Sequence, residues 1–268
     1  MNWTRINALM LRYLYLYRRS PPRIMEIFFW PTMELLVWGF LTKFLIGLRE
    51  QEMVSVPNWI VFLISAMIFW DIIYRAQQGV TIAFLEDIWS RNLLNLFVAP
   101  LRRSEFIAAT FLVGFIKIIA ITVVLSALAL PLYQFNLLQI GIPLVAFFVN
   151  LLIFGWAVGM FTTALIVRWG HASEALAWGI PFLIQPLAAV FYPVSVLPAW
   201  AQPLAKIIPC SYVFEGMREV MRNEPFAWDK FWMALGLNAV FMIASALFFR
   251  WMFALAREKG LLGKLGTQ

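Results

Sequence analysis

Histidine and cysteine are nearly absent from this chain, which has only His171 and Cys210 among its 268 residues. A lone cysteine cannot form an intrachain disulfide, and a lone histidine cannot build a His-based metal centre within one chain. We also find no GxxxxGK[ST] phosphate-binding loop, no HExxH zinc motif and no GxSxG nucleophile turn. The sequence therefore offers no catalytic residue, no metal site and no P-loop for ATP.

Charged residues are also scarce, at 13% of the chain, whereas hydrophobic residues make up 63% and the mean hydropathy is +0.81. An average soluble domain carries about 25% charged residues, so this composition excludes a soluble globular enzyme and a disordered chain. The apolar segments are long and unbroken, which excludes the short alternating strands of a transmembrane β-barrel. We therefore predict an all-α integral membrane protein.

Six apolar segments are long enough to cross a bilayer, which takes about 20 residues each. They cover residues 24–47, 58–85, 105–130, 139–167, 174–192 and 229–250. Residues 1–22 precede them with apolar and arginine positions at helical spacing, which predicts an amphipathic helix in the membrane interface. Because no soluble module and no internal repeat is visible, we treat 1–268 as a single transmembrane domain.

The net charge of +7 is distributed unevenly along the chain. Lys and Arg are in excess at the two termini and in the loops after the second and fourth spans, which lie on the same side of the membrane as the termini. The positive-inside rule therefore places both termini in the cytoplasm. The same basic residues would face anionic lipid headgroups, and no nucleic-acid-binding module is present.

The most informative polar break is the loop at residues 86–104. Asp87 is a suitable N-cap for a short helix over about 88–98, and Ser104-Glu105 begins the next span in a capped manner. The apolar face of this short helix consists of Trp89, Leu93, Leu96 and Phe97. Such a face serves either to dock a partner protein or to rest on lipid.

The segment 193–228 differs from the spans because it contains five prolines. Two stretches within it, 199–207 and 210–222, could each form a helix too short to cross the bilayer. Their charges sit at i,i+3 spacing, as Glu215–Arg218 and Glu219–Arg222, so the second helix could be a self-compensated surface helix. We predict that the segment is re-entrant or lies at the interface.

Several charges fall within the spans, among them Glu34, Asp71, Arg75 and Lys117. Asp71 and Arg75 are four residues apart on the second span and should pair on one helix face, because an unpaired charge in the membrane costs at least ~2.5–3.5 kcal/mol. The pair serves either a gate or cavity, or helix packing alone. Glu34 on the first span should meet Lys117 of the third span, or else contact a polar substrate.

These features, taken in order, resemble the permease subunit of a type-2 ABC exporter. The resemblance rests on the amphipathic N-terminal helix, the six spans, the Glu86…Pro100-Leu101-Arg102-Arg103-Ser104-Glu105 loop and the Pro209-Cys210-Ser211-Tyr212 segment before the last span. It implies a homodimer of permeases in the inner or plasma membrane, surrounded by lipid. It also implies two separate ATPase subunits that carry ATP and Mg, so that no cofactor binds this chain.

The resemblance further assigns roles to individual residues. The helix after the second span would be the coupling helix, and its ATPase-docking residues would be Asp87, Trp89, Arg91, Leu93 and Phe97. The N-terminal helix would form a second contact or an interfacial belt. Glu34, Asp71 and Arg75 would belong to a pathway or gate. The 193–228 segment would form a re-entrant outer hairpin whose candidate residues are Tyr212, Glu215 and Arg218.

The function that follows is export of an amphipathic or lipid-linked substrate from the cytoplasm or the inner leaflet. Two alternatives belong to other classes: a stand-alone membrane enzyme acting on lipid, and a secondary carrier. An enzyme would need an acid/base or metal cluster on one face of the spans, and a carrier usually shows matched repeat halves with broken helices. The sequence shows neither feature.

Overall fold

The computed structural model of the chain describes residues 2–50, 59–90, 92 and 101–259. These residues form helices joined by turns, and they contain no strand. The α-helices are α1 (Trp3–Arg18), α2 (Pro21–Glu50), α3 (Trp59–Trp89), α4 (Arg103–Tyr133), α5 (Ile142–Trp169), α6 (Leu176–Ile184), α7 (Gln202–Ile207), α8 (Pro209–Met221) and α9 (Trp228–Glu258). The all-α fold class is confirmed.

Four of these helices are long and apolar enough to cross a membrane: α2 over Pro21–Phe44, and α4, α5 and α9 over their whole lengths. At a rise of 1.5 Å per residue, each extends beyond the roughly 30 Å of a hydrocarbon core. They correspond to the predicted spans 24–47, 105–130, 139–167 and 229–250. The chain is therefore a multi-pass membrane protein.

The other two predicted spans are not confirmed as membrane-crossing helices. The second, 58–85, is the 31-residue helix α3, which is not among those four helices. The fifth, 174–192, is helical only over the nine residues of α6 and continues as turns to Tyr192. Pro181 and Pro186 explain the early end, since proline lacks a backbone donor and disfavours helix in the residue before it.

Helix α3 is the central element of the bundle and is buried along most of its length against α2, α4 and α5. Glycines let the neighbouring backbones approach it closely. A Cβ on Gly79 would lie 2.9 Å from the Cα of Gly114 on α4, and one on Gly155 of α5 would lie 2.7 Å from the carbonyl oxygen of Ile73. Small residues at such contacts are typical of helix packing in membranes, where close van der Waals contact drives association.

The 193–228 segment contains the two short helices that the sequence predicts. Helix α7 covers six residues and α8 covers thirteen, and a 3₁₀ turn at Val194–Val196 precedes them. Pro209 occupies the first turn of α8, where its missing N–H costs nothing. Neither helix is long enough to span a bilayer. Whether the segment is re-entrant stays a prediction.

Candidate functional site

Helix α1 packs along the first half of α4 and against the last turns of α3. Its buried residues Ile6, Leu9 and Tyr13 belong to one apolar cluster with residues of both helices, among them Phe84 and Phe106. The amphipathic pattern read from the sequence is therefore real, but its apolar face is buried largely in protein. The residue at the start of the pattern, Trp3, is exposed.

Asp87 lies at the point where α1 meets the end of α3. Its carboxylate is fully buried, accepts a hydrogen bond from the Arg12 guanidinium at 2.6 Å, and accepts another from the Tyr13 hydroxyl at 2.5 Å. Burial and the neighbouring Asp87 charge raise the pKa of Tyr13, so the phenol stays protonated and donates. The prediction that Asp87 caps a following helix is wrong, because α3 continues through it to Trp89.

Glu86 makes a second set of contacts one residue earlier. It accepts a hydrogen bond from the Tyr17 hydroxyl at 3.2 Å, and the Arg23 guanidinium lies 3.5 Å away. Burial raises the pKa of Tyr17. The Lys117 ammonium sits over the Tyr17 ring, 3.5 Å from its centroid. The expected meeting of Lys117 with Glu34 is therefore wrong, and Lys117 instead fixes the end of α1 by a cation–π contact.

Glu105 holds the other end of α1, at its first residues. Its carboxylate caps the start of α4 by accepting the Arg102 N–H at 2.9 Å, which confirms the capped restart predicted there. It also accepts the Asn2 N–H at 2.7 Å, and Arg5 lies 3.7 Å away. Helix α1 thus holds both ends of the loop between α3 and α4. We call this set the N-terminal clamp: Asn2, Arg5, Arg12, Tyr13, Tyr17, Glu86, Asp87 and Glu105.

The predicted docking face of the loop is only partly within the described residues. Trp89 ends α3 and is 46% exposed. Arg91, Leu93 and Phe97 lie outside the described residues, as does most of the predicted 88–98 helix. The docking role of these five positions, Asp87 included, stays a prediction.

A cavity of about 170 Å³ lies among α2, α3, α6 and the turns that follow α6. Its wall includes Glu34, Trp38, Asp71, Tyr74, Phe182 and Phe191. Asp71 is 5% exposed and pairs with Arg75 through an Oδ1 to Nε distance of 3.1 Å. The predicted i,i+4 pair is therefore confirmed, and Asp71 borders a cavity as well as a helix contact.

Glu34 has a different environment from Asp71. Among the described residues, no hydrogen bond or ion pair engages its carboxylate, and the charges that act on it are those of Asp71 and Arg75. Aromatic rings line the same cavity: Trp38 stacks on Phe191 with 4.7 Å between centroids, and the ring centroids of Tyr74 and Phe182 are 5.8 Å apart. The structure thus brings Glu34 and Asp71 to one cavity, with Arg75 paired to Asp71, and the assignment of the three to a pathway or gate stays a prediction.

The candidate residues of the 193–228 segment brace the turns after α6. Arg218 donates to the carbonyl of Ala189 at 2.7 Å and pairs with Glu215 at 3.3 Å, while Glu215 accepts the Val194 N–H at 2.8 Å. Tyr212 donates to the carbonyl of Lys206. The predicted Glu215–Arg218 pair is confirmed.

The second predicted pair of this segment is wrong. Glu219 pairs with Lys230 at the start of α9, at 2.5 Å, and Arg222 pairs with Glu224 at 2.9 Å. Helix α8 ends at Met221 and Arg222 is its C-cap, so each of the two charges pairs with a residue beyond the helix. The pairing with Lys230 therefore ties α8 to α9 and depends on tertiary contact.

Sequence reasoning missed the role of Gln77 and Gln78. Both amide groups donate to the carbonyl oxygen of Ala177, at 3.1 and 2.8 Å. In a regular helix that carbonyl would accept the N–H of residue 181, which is Pro181 and has none. The glutamines therefore satisfy the carbonyl that proline leaves unpaired in α6. The sequence offers one signal for this contact. Two adjacent glutamines stand in an apolar run, and on another helix a proline follows four residues after a small residue.

These features define a multi-pass α-helical membrane protein whose polar groups join helices and line a cavity. In the described part of the chain, no group of three or more His, Cys, Asp or Glu residues could hold a metal ion. Residues 4–222 match the model of the ABC-2 type transporter family. The chain therefore belongs to that family, and it is a permease of an ABC transporter. A comparison with curated proteins returns no significant match.

Proposed function

We propose that the chain is the transmembrane subunit of an ATP-driven exporter that moves an amphipathic or lipid-linked substrate out of the cytoplasm or the inner leaflet. Two copies form the pathway in the inner or plasma membrane, with all termini in the cytoplasm. Separate ATPase subunits bind ATP and Mg and contact the 86–104 loop. Family membership supports the transport role, and the positive-inside pattern supports the orientation.

The N-terminal clamp is the observation that supports the coupling role of the loop. Asp87 and Glu105 flank the loop, and both buried carboxylates are tied to α1 through hydrogen bonds. A force applied to the loop would therefore move α1 and the adjoining ends of α3 and α4 as one body. The ATPases would supply that force because nucleotide binds their two states with different affinity.

Helix α3 connects this clamp to the cavity. Asp71 and Asp87 are sixteen residues apart on the same helix, which places them about 24 Å apart along its axis. The close glycine contacts with α4 and α5 hold α3 within the bundle along this distance. Because the continuous helix α3 joins the loop to the cavity, movement of the loop would shift the residues that line the cavity.

Co-purification tests the partner directly. The tagged chain is isolated in mild detergent from its native host, and the co-purifying proteins are identified by mass. We expect an ATPase of the size of one nucleotide-binding domain at about one copy per permease. Its absence, under conditions that keep other ABC complexes intact, would contradict the exporter proposal and favour the enzyme or carrier alternatives.

A triple substitution tests the docking face. Trp89→Ala, Leu93→Ala and Phe97→Ala together should abolish ATPase binding while the permease still folds. The matched control truncates three exposed apolar residues of α9, namely Val240, Ile243 and Leu247, to alanine. The control should retain the ATPase. Normal ATPase binding and transport by the docking variant would overturn the assignment.

A further inference from the structure

We infer that the cavity bordered by Glu34 and Asp71 accepts the cationic headgroup of an amphipathic substrate. This inference rests on the proposed transport function and names the chemical class of its substrate. It follows from the charge balance of the cavity, from its aromatic wall and from its size. Each of the three is independent of the others.

The charges at the cavity favour a cation. Arg75 neutralises Asp71, with 3.1 Å between Nε and Oδ1. Glu34 borders the same cavity, and no cation among the described residues pairs with it. An unpaired carboxylate within an apolar helix is costly. A cationic group in the cavity would remove that cost, whereas an anionic group would be repelled by the unpaired Glu34 carboxylate.

The aromatic wall favours the same ligand. Trp38 and Phe191 form a stacked pair, and Tyr74 and Phe182 form a second pair on the same cavity. The faces of such rings attract cations, and quaternary ammonium groups are recognised in aromatic cages of this kind. A carboxylate set among aromatic rings therefore suits an alkylated ammonium better than a neutral hydroxyl-rich group.

The volume of the cavity limits the size of the group that can bind in it. At about 170 Å³ the cavity is smaller than the roughly 300–1,000 Å³ of sites that enclose a drug-sized molecule. It can hold a compact headgroup, while an attached hydrocarbon tail would lie outside. The exposed apolar side chains of α2 next to Glu34, such as Met33 and Val37, offer a surface for that tail.

Binding of labelled dodecyltrimethylammonium to the purified full-length chain in lipid nanodiscs tests the inference. Concentrations stay below the micellar range. Unlabelled dodecyl phosphate and dodecyl maltoside serve as competitors, because they have the same tail with an anionic or a neutral head. We expect saturable binding that unlabelled dodecyltrimethylammonium displaces and the other two amphiphiles do not. Equal displacement by all three would show that only the tail is bound, and would overturn the inference.

Substitution of Glu34 sharpens the test. Glu34→Gln should weaken binding about tenfold or more, because Glu34 is the unpaired carboxylate among the described residues that line the cavity. Glu34→Asp keeps the charge and should bind better than Glu34→Gln. Glu26→Gln is the matched control, since Glu26 lies two turns earlier on the same helix and does not border the cavity. Unchanged affinity in Glu34→Gln would contradict the assignment.

The two proposals fail separately. Binding to the permease needs no ATPase, so the absence of selective cation binding would remove the headgroup inference and leave the exporter proposal intact. If Glu34→Gln is misfolded by gel filtration, the competition series on the unmodified chain still decides the matter. Absence of a co-purifying ATPase would remove the exporter proposal, whatever the headgroup result.

Discussion

The N-terminal clamp and the cavity both involve helix α3, but their carboxylates differ in whether a partner neutralises them. In the clamp, the carboxylates of Glu86, Asp87 and Glu105 all accept hydrogen bonds from α1 or from the backbone at the start of α4. In the cavity, Asp71 is paired and Glu34 is not. A set of charges in which each carboxylate has a partner stabilises one arrangement of helices, whereas an unpaired charge leaves room for a ligand. The difference separates a region that holds structure from the region that we propose binds the substrate headgroup.

The largest expected effect concerns the clamp. Asp87→Ala leaves Arg12 and Tyr13 without their shared acceptor, and breaking a buried pair costs about 3–5 kcal/mol. Because Arg12 is about a third exposed, we expect a loss at the low end, roughly 2–3 kcal/mol. Thermal unfolding in detergent measures it. Glu224→Ala breaks the exposed pair with Arg222 and should cost about 1 kcal/mol or less. Equal losses in both variants would contradict a structural role for the clamp.

The next largest loss of stability is expected where α5 packs closely against α3, between the clamp and the cavity. Gly155→Ala would place a Cβ 2.5 Å from Ala76 Cβ and 2.7 Å from the Ile73 carbonyl oxygen, so α5 and α3 must separate. Such overpacking costs roughly 1–3 kcal/mol, measured as a lower unfolding temperature. The control is Gly236→Ala in α9, where no atom lies within 4 Å. That change should be neutral or stabilising by up to about 1 kcal/mol. A stable Gly155→Ala protein would show that α3 is not held tightly.

A smaller effect is expected at α6. Gln78→Leu removes one of the two donors to the Ala177 carbonyl, while Gln77 still donates to it. Hydrogen bonds between membrane helices are worth about 0.6 kcal/mol on average and reach about 1.7, so the loss should fall in that range. The double variant Gln77→Leu with Gln78→Leu should lose more than the two single losses combined, because the carbonyl is then unpaired. Additive losses in a double-mutant cycle would argue against a shared acceptor.

The smallest effect should come from Glu34. Glu34→Gln removes a charge that no described side chain neutralises, so the protein should unfold at the same temperature or slightly higher. The reference variant is Arg75→Gln, which leaves the buried Asp71 unpaired and should lower the unfolding temperature. If Glu34→Gln is as destabilising as Arg75→Gln, Glu34 belongs to the structural group and the contrast between the two regions disappears.

Local patterns in the sequence predicted the features that depend on near neighbours. The i,i+4 pair Asp71–Arg75, the i,i+3 pair Glu215–Arg218 and the cap by Glu105 all formed as expected. Each needs only one helical turn to bring its groups together. The same reasoning failed at Glu219 and Arg222, because a pair at that spacing forms only while the helix continues.

Partners from distant parts of the chain were not predictable in this way. Asp87 was read as a helix cap, but it is bound by Arg12 and Tyr13, which are more than seventy residues earlier. Lys117 was expected near Glu34 and lies on Tyr17. Hydropathy places these charges near the membrane, but it says nothing about which helix faces which. The pairing depends on how α1 packs against α3 and α4.

The sequence by itself determined that this protein lies in a bilayer and is built from α-helices. Long apolar segments with few charges can be stable only as helices in a bilayer, since every backbone group must be paired within the segment. Tertiary structure alone decided which carboxylates are neutralised and that Glu34 borders the cavity without a partner among the described residues, because both depend on the packing of α1, α2 and α6 around α3. The low dielectric of the bundle makes this choice costly to change, and it separates the clamp from the cavity.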